Sequence, residues 1–105
     1  MKAVEKNGTL ILVPESDLVA SKIEEIRSFI MQQLKTNHQV QQVTLDVKGI
    51  GIVDSLGVNL IIGLYKQLSA ESKTFSITNA GEKFMKIISF FHLNILFTVE
   101  KDESK

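Results

Sequence analysis

Short runs of β-branched and aliphatic residues alternate along this chain with stretches whose apolar residues recur every three or four positions. No other feature constrains the fold as strongly. Strands separated by helices are joined by right-handed crossovers and build a mainly parallel sheet. Thr9–Val13 is the first such run; it follows Asn7-Gly8 and is closed by the single proline, Pro14. It reads as a strand paired with Ala3–Glu5 through a turn at Lys6–Gly8, a hairpin that makes the sheet mixed. Val19, Ile23, Ile26, Ile30 and Leu34 then mark an amphipathic helix of about four turns ending near Thr36-Asn37. Asp17 or Ser21 is placed to cap its first turn.

Gln42–Val47 is the next strand, and the glycines of Lys48–Val53 predict an irregular loop after it. A second helix follows from about Leu56 to Leu68, with Gly57, Leu60, Ile61, Leu64 and Leu68 on one face. Thr74–Thr78 reads as a strand, and Asn79-Ala80-Gly81-Glu82 opens a third helix with the stripe Phe84, Ile87, Ile88 and Phe91. Ile95–Val99 reads as the last strand, and Glu100–Lys105 as a polar tail that frays from about residue 101. The expectation is one α/β domain over residues 1–105. It is a small sandwich with a mixed, mainly parallel sheet of four to five strands and three to four helices.

The 105 residues suffice for one core and need no staples. Twelve Lys plus Arg balance twelve Asp plus Glu, which disfavours nucleic acid and a polybasic membrane tether as partners. No cysteine is present, so thiolate chemistry and cysteine-ligated metals are excluded. His38 and His92, far apart in sequence, make a poor metal site. The first eight residues lack the apolar core of a signal peptide. The apolar stretch Ile87–Phe97 is too short to span a bilayer, so the expectation is a cytoplasmic protein with no membrane insertion.

The informative segment is Ile52-Val53-Asp54-Ser55-Leu56-Gly57-Val58. It delivers a hydroxyl to the start of a helix, flanked by an acid and a glycine. One reading is structural: Asp54 or Ser55 caps the helix and Gly57 permits close packing. The other is regulatory. A hydroxyl at a helix N-terminus is accessible, and a phosphate there meets the positive end of the dipole and changes the local charge by about −2.

Asp54-Ser55-Leu56-Gly57-Val58, with Leu60-Ile61 and Gly63-Leu64-Tyr65-Lys66-Gln67 behind it, resembles the central signature of STAS domains. The closer resemblance is to the bacterial anti-sigma-factor antagonists, whose signature reads Asp-Ser-Ser/Thr-Gly-Leu-Gly-Val. The resemblance covers nearly the whole chain. Leu12-Val13-Pro14-Glu15-Ser16-Asp17 stands where that family has a strand ending in Gly-Glu-hydrophobic-Asp. Lys83-Phe84-Met85-Lys86-Ile87-Ile88 and Phe91-His92-Leu93 stand at its basic helix and the turn before the last strand. The resemblance implies that Ser55 is the residue phosphorylated by a partner kinase. Leu56 replaces the family's second hydroxyl, which leaves one acceptor, and Pro14 and Ser16 alter the loop before the first helix.

Implied with it is a phosphorylation-controlled partner switch. The unmodified form binds an anti-sigma factor or a serine kinase/phosphatase regulator, phosphorylated Ser55 blocks binding, and a serine phosphatase resets it. Asp54, Leu56, Gly57, Glu15 and Asp17 become candidate partner contacts. Val58 and Ile62 lie about 100–140° from the buried stripe of their helix, and are either covered by a neighbouring helix or form an exposed apolar strip beside Ser55. The alternative function is a ligand-binding or scaffold STAS module of a transport or signalling complex.

The remaining residues read structurally. Asp46 lacks the acidic pair that a receiver domain needs to hold a metal. His92 reads as a packed or half-buried turn residue, and Met31, Met85, Phe84, Phe90 and Phe91 as core. Ser55 has no Gly-x-Ser-x-Gly elbow, because position 53 is Val, and no phosphate-binding loop or metal cluster is present. Catalysis, cofactors and metals are therefore not expected.

Overall fold

The structure, a computed structural model, describes residues 1–102. Its elements are β1 (Lys2–Lys6), β2 (Thr9–Val13), α1 (Ala20–Thr36), β3 (Gln42–Asp46), α2 (Ser55–Ala70), β4 (Thr74–Ala80), α3 (Glu82–Phe90), a 3-10 turn (Leu93–Ile95) and β5 (Thr98–Lys101). The five strands lie side by side in sequence order, β1 antiparallel to β2 and every later pair parallel. This is the mixed, mainly parallel sheet that the alternating pattern predicts.

The hairpin closes on a two-residue loop, with Lys6 paired to Thr9. Asn7 (φ 54°) and Gly8 (φ 84°) both adopt the left-handed conformation that such a loop requires, and Asn-Gly tolerates it best. Strand alternation then separates two faces. Leu10 and Leu12 of β2, Val43 and Leu45 of β3, and Phe75 and Ile77 of β4 are buried and share one core with the helices. Ile23, Ile26, Ile30 and Leu34 of α1 and Leu60, Ile61, Leu64 and Leu68 of α2 complete it. A fully buried leucine such as Leu68 contributes roughly 2 kcal/mol through apolar burial. On the opposite face the register aligns Val4, Ile11, Thr44, Ser76 and Thr98. There Thr44 Oγ1 and Ser76 Oγ are hydrogen-bonded at 3.0 Å, so the one buried polar side chain among the described residues is satisfied.

The C-terminal part departs from the sequence expectation. β4 runs on to Ala80, and α3 starts at Glu82. The last strand starts at Thr98, three residues later than expected: His92 turns the chain in the left-handed region (φ 56°), and Leu93–Ile95 coil into a 3-10 turn. Leu93 and Phe97 are buried at helix-like spacing, and Phe97 packs against Phe75 (centroids 4.8 Å) and Tyr65 (5.6 Å). Ile95 and Leu96 are left outside. The pairing of β5 continues through Lys101, so Glu100 and Lys101 stand in the sheet, and Asp102 N donates to Ala80 O at 2.9 Å. The rest of the expected tail, residues 103–105, lies outside the described residues. Phe90 and Phe91, expected in the core, are exposed, as is His92, because α3 buries only Phe84 and Ile88. Met31 and Met85 pack against the core from its edge.

Candidate functional site

Two loops meet at the carboxyl ends of β2 and β3, and both hold Ser55 in place. Leu18 N donates to Ile52 O (2.9 Å) and Asp54 N to Leu18 O (3.1 Å), an isolated parallel bridge joining Leu18 to Val53. Two carboxylates fasten the same junction. Asp17 Oδ1 accepts from Gly51 N and Ile52 N, each at 2.9 Å, across the gap between the loops. Asp54 Oδ2 accepts from Ala20 N at 2.8 Å, at the start of α1.

Asp54 Oδ1 accepts from Leu56 N and Gly57 N, both at 3.0 Å, so Asp54 is the N-cap of α2. Its partners on α1 and α2 are backbone amides, and these donors, Gly57 first and Ala20 next, hold its carboxyl below the usual carboxylate range. The capping expected of Asp17 or Ser21 does not occur. Val19, the N-cap residue of α1, offers no side-chain cap, and Asp54 supplies the acceptor for Ala20 N from the other loop.

Gly57 makes the close approach possible. A Cβ there would lie 2.3 Å from Leu18 O, 2.8 Å from Leu18 Cβ and 2.9 Å from Val53 Cγ1. Only a residue without a side chain lets the first turn of α2 rest on the Leu18 bridge.

Ser55 is the first residue of α2 and is exposed. Its neighbours Ile52 and Leu56 are exposed too, at 62% and 46%. Sequence reasoning missed Ile52 as a contact; its signal is an aliphatic residue in the glycine-containing loop just before Asp54-Ser55. The amides that a phosphate could meet at this terminus are partly occupied, since Leu56 N and Gly57 N already bind Asp54. A phosphate on Ser55 would therefore gain the dipole of α2 but not those two donors.

Not all candidate contacts gather here. Val58 is 3% exposed and lies in the core, so the exposed strip of Val58 and Ile62 is not formed. The first turn of α2 packs down on Leu18 and carries Val58 into the core, while Ile62 packs partly buried against the same core. Glu15 and Asp17 also part company. Glu15 binds the Met1 ammonium (3.0 Å) and Lys2 Nζ (3.5 Å), and the ammonium lowers its carboxyl pKa. Asp17 alone serves the Ser55 loop. Among the described residues no cluster of His, Cys, Asp or Glu could hold a metal, and no helix is long and apolar enough to cross a membrane.

A five-stranded mixed sheet and three helices, with a serine at the second helix start, define a small α/β domain. The chain belongs to the STAS domain family, whose model matches residues 1–105. Solved structures share the fold. A candidate anti-sigma factor antagonist of Thermotoga maritima superposes with a TM-score of 0.87 at 16% identity, over 98% of this chain and 87% of that one. The Bacillus cell fate determinant SpoIIAA in its phosphorylated form gives 0.72 at 19% identity, over 97% and 91%. A sulfate transporter family protein of Wolinella succinogenes gives 0.77 at 9% identity, over 95% and 82%.

Proposed function

We propose that this chain is a phosphorylation-controlled partner switch that acts by binding and not by catalysis, with Ser55 as the modified residue. The observation that carries this reading is an exposed hydroxyl on a rigid helix start, flanked by the exposed apolar side chains of Ile52 and Leu56. SpoIIAA, which shares the fold, is an anti-sigma factor antagonist with unphosphorylated and phosphorylated structures. The partner is then an anti-sigma factor with serine kinase activity, and a serine phosphatase reverses the mark.

The unmodified surface offers two aliphatic anchors around a small hydroxyl, suited to a desolvated contact. Phosphate adds about two negative charges beside the ionised Asp54. A partner complementary to the unmodified loop must then bury or repel that anion. A loss of about 2.7 kcal/mol is hundredfold in affinity. Calorimetric titration of the unmodified chain, S55A and S55D against such a kinase checks the proposal. Binding by the unmodified chain and S55A with loss in S55D is expected; equal binding by all three refutes it. Mass spectrometry after incubation with kinase and ATP should find the phosphate on Ser55.

A further inference from the structure

Residues 87–99 form the longest stretch of the chain without a charged side chain. Within it Phe90 (76% exposed), Phe91, Ile95 (78%) and Leu96 stand out into solvent, four of the seven large hydrophobic side chains exposed among the described residues. Phe90 and Phe91 meet edge to face with centroids 4.9 Å apart, a preformed aromatic pair. With a side chain of this size presenting about 200 Å² when free, the four expose roughly 450 Å² of apolar surface. That is the size of the largest patch on an ordinary monomer, and such patches mark interaction sites.

We infer that this patch is the interface between two copies of the chain. A standard interface buries about 800 Å² per partner, and homodimer interfaces are about 65% apolar, so about 500 Å² of apolar surface is needed from each copy. The patch supplies nearly that much. Its composition also fits, since interface cores are rich in aromatic residues and depleted of charge. A lipid surface fits less well, because the patch itself carries no cation and the chain has no net charge. Neutrality equally removes any long-range repulsion between two copies.

The position matters for the switch. Ser55 and the loops that hold it lie at the carboxyl ends of the parallel strands. α3 leaves the same end at Gly81 and returns toward the start of β5, which brings Phe90–Leu96 to the opposite pole. A dimer formed there leaves both Ser55 sites facing outward, and its formation does not depend on the Ser55 reading.

Light scattering on the full chain, from about 1 to 100 μM, tests the inference through mass action. The unmodified chain should approach twice its 11.7 kDa mass as concentration rises. F90E and I95E should each weaken association by about tenfold or more, while circular dichroism stays native because both side chains are solvent-facing. I52E, at the opposite pole, should dimerise like the unmodified chain. A monomer throughout the range, a dimer untouched by F90E and I95E, or uptake of the monomer by anionic vesicles through Phe90 would each overturn it.

Discussion

Replacing Gly57 by alanine tests whether the junction beneath Ser55 is as tight as its geometry says. Considered as a helix residue alone, Gly57→Ala should stabilise, because alanine is favoured over glycine by about 1 kcal/mol within a helix. The surroundings reverse that sign. The new Cβ would fall 2.3 Å from Leu18 O, and that oxygen is backbone, already accepting from Asp54 N at 3.1 Å. It cannot swing aside as a side-chain end could. Either α2 lifts or the Leu18 bridge opens. Overpacking of this kind costs about 1–3 kcal/mol, and each backbone hydrogen bond lost adds about 1 kcal/mol. With one such bond lost and the propensity gain set against it, the net loss is about 1–3 kcal/mol. In a domain of this size each 1 kcal/mol moves Tm by about 4–8 °C, so a fall of roughly 5–20 °C is expected. Gly63, in the same helix, is the internal control, since nothing lies within 4 Å of a Cβ there. Gly63→Ala should raise stability by about 0.5–1 kcal/mol. Thermal and urea unfolding followed by circular dichroism reads both variants. If G57A is as stable as the unmodified chain, the close approach of Leu18 and α2 is wrong.

The remaining tests separate support from contact. Asp54→Ala should lower Tm at neutral pH and flatten the acid side of the stability profile. With a folded pKa below the unfolded value near 3.8, the contribution of Asp54 is present above that value and fades as pH falls through the folded pKa; Tm measured from pH 2 to 7 shows it. Asp17→Ala should speed amide exchange at Gly51 and Ile52, whose N–H groups it binds, while the strand amides of β3 stay protected; hydrogen exchange resolves the two. Val58→Ala should cost about 1–2 kcal/mol of stability as a core truncation, read by urea unfolding. Leu56→Ala should change stability by less than about 0.5 kcal/mol yet weaken partner binding by more than about 1 kcal/mol, read by titration.

What could be read from the sequence follows from which interactions are local. The hairpin was legible because Asn7-Gly8 fixes a two-residue turn, and α1 and α2 because Ile23, Ile26, Ile30 and Leu64, Leu68 keep helical spacing. Ser55 was legible as the first helical residue, because an acid followed by a hydroxyl and a glycine is a local signature. The role of Asp17 was not. Its partners, Gly51 and Ile52, lie on a different loop, and no local pattern announces a carboxylate that bridges two loops. The same holds for Asp54, which caps its own helix as expected but also replaces the missing cap of α1. Val58 could not be placed from its helix angle alone, since burial depends on how closely α2 settles on Leu18. The apolar run Ile95–Val99 looks like a strand, but the left-handed turn at His92 and the 3-10 turn after it delay the strand to Thr98.

The two-loop junction also explains why modification should act on binding instead of on folding. A negative charge on Ser55 gains about 0.3–1 kcal/mol from the dipole of α2 and is opposed by the ionised Asp54, so the two effects pull the fold in contrary directions. Neither touches the backbone bonds at Leu18, Ile52 and Asp54 that hold the platform. A partner meets no such compensation, since the whole anion lies on the surface it must cover. Under the proposed switch, the rigid support would confine the consequence of a phosphate on Ser55 to the interface, where a few kcal/mol decide between bound and free. A hydroxyl on a loose loop could instead let the anion turn away to water, and much of the discrimination would be lost. In the proposed switch, fixing Ser55 at the start of α2 would make the charge unavoidable to a partner docked on Ile52 and Leu56.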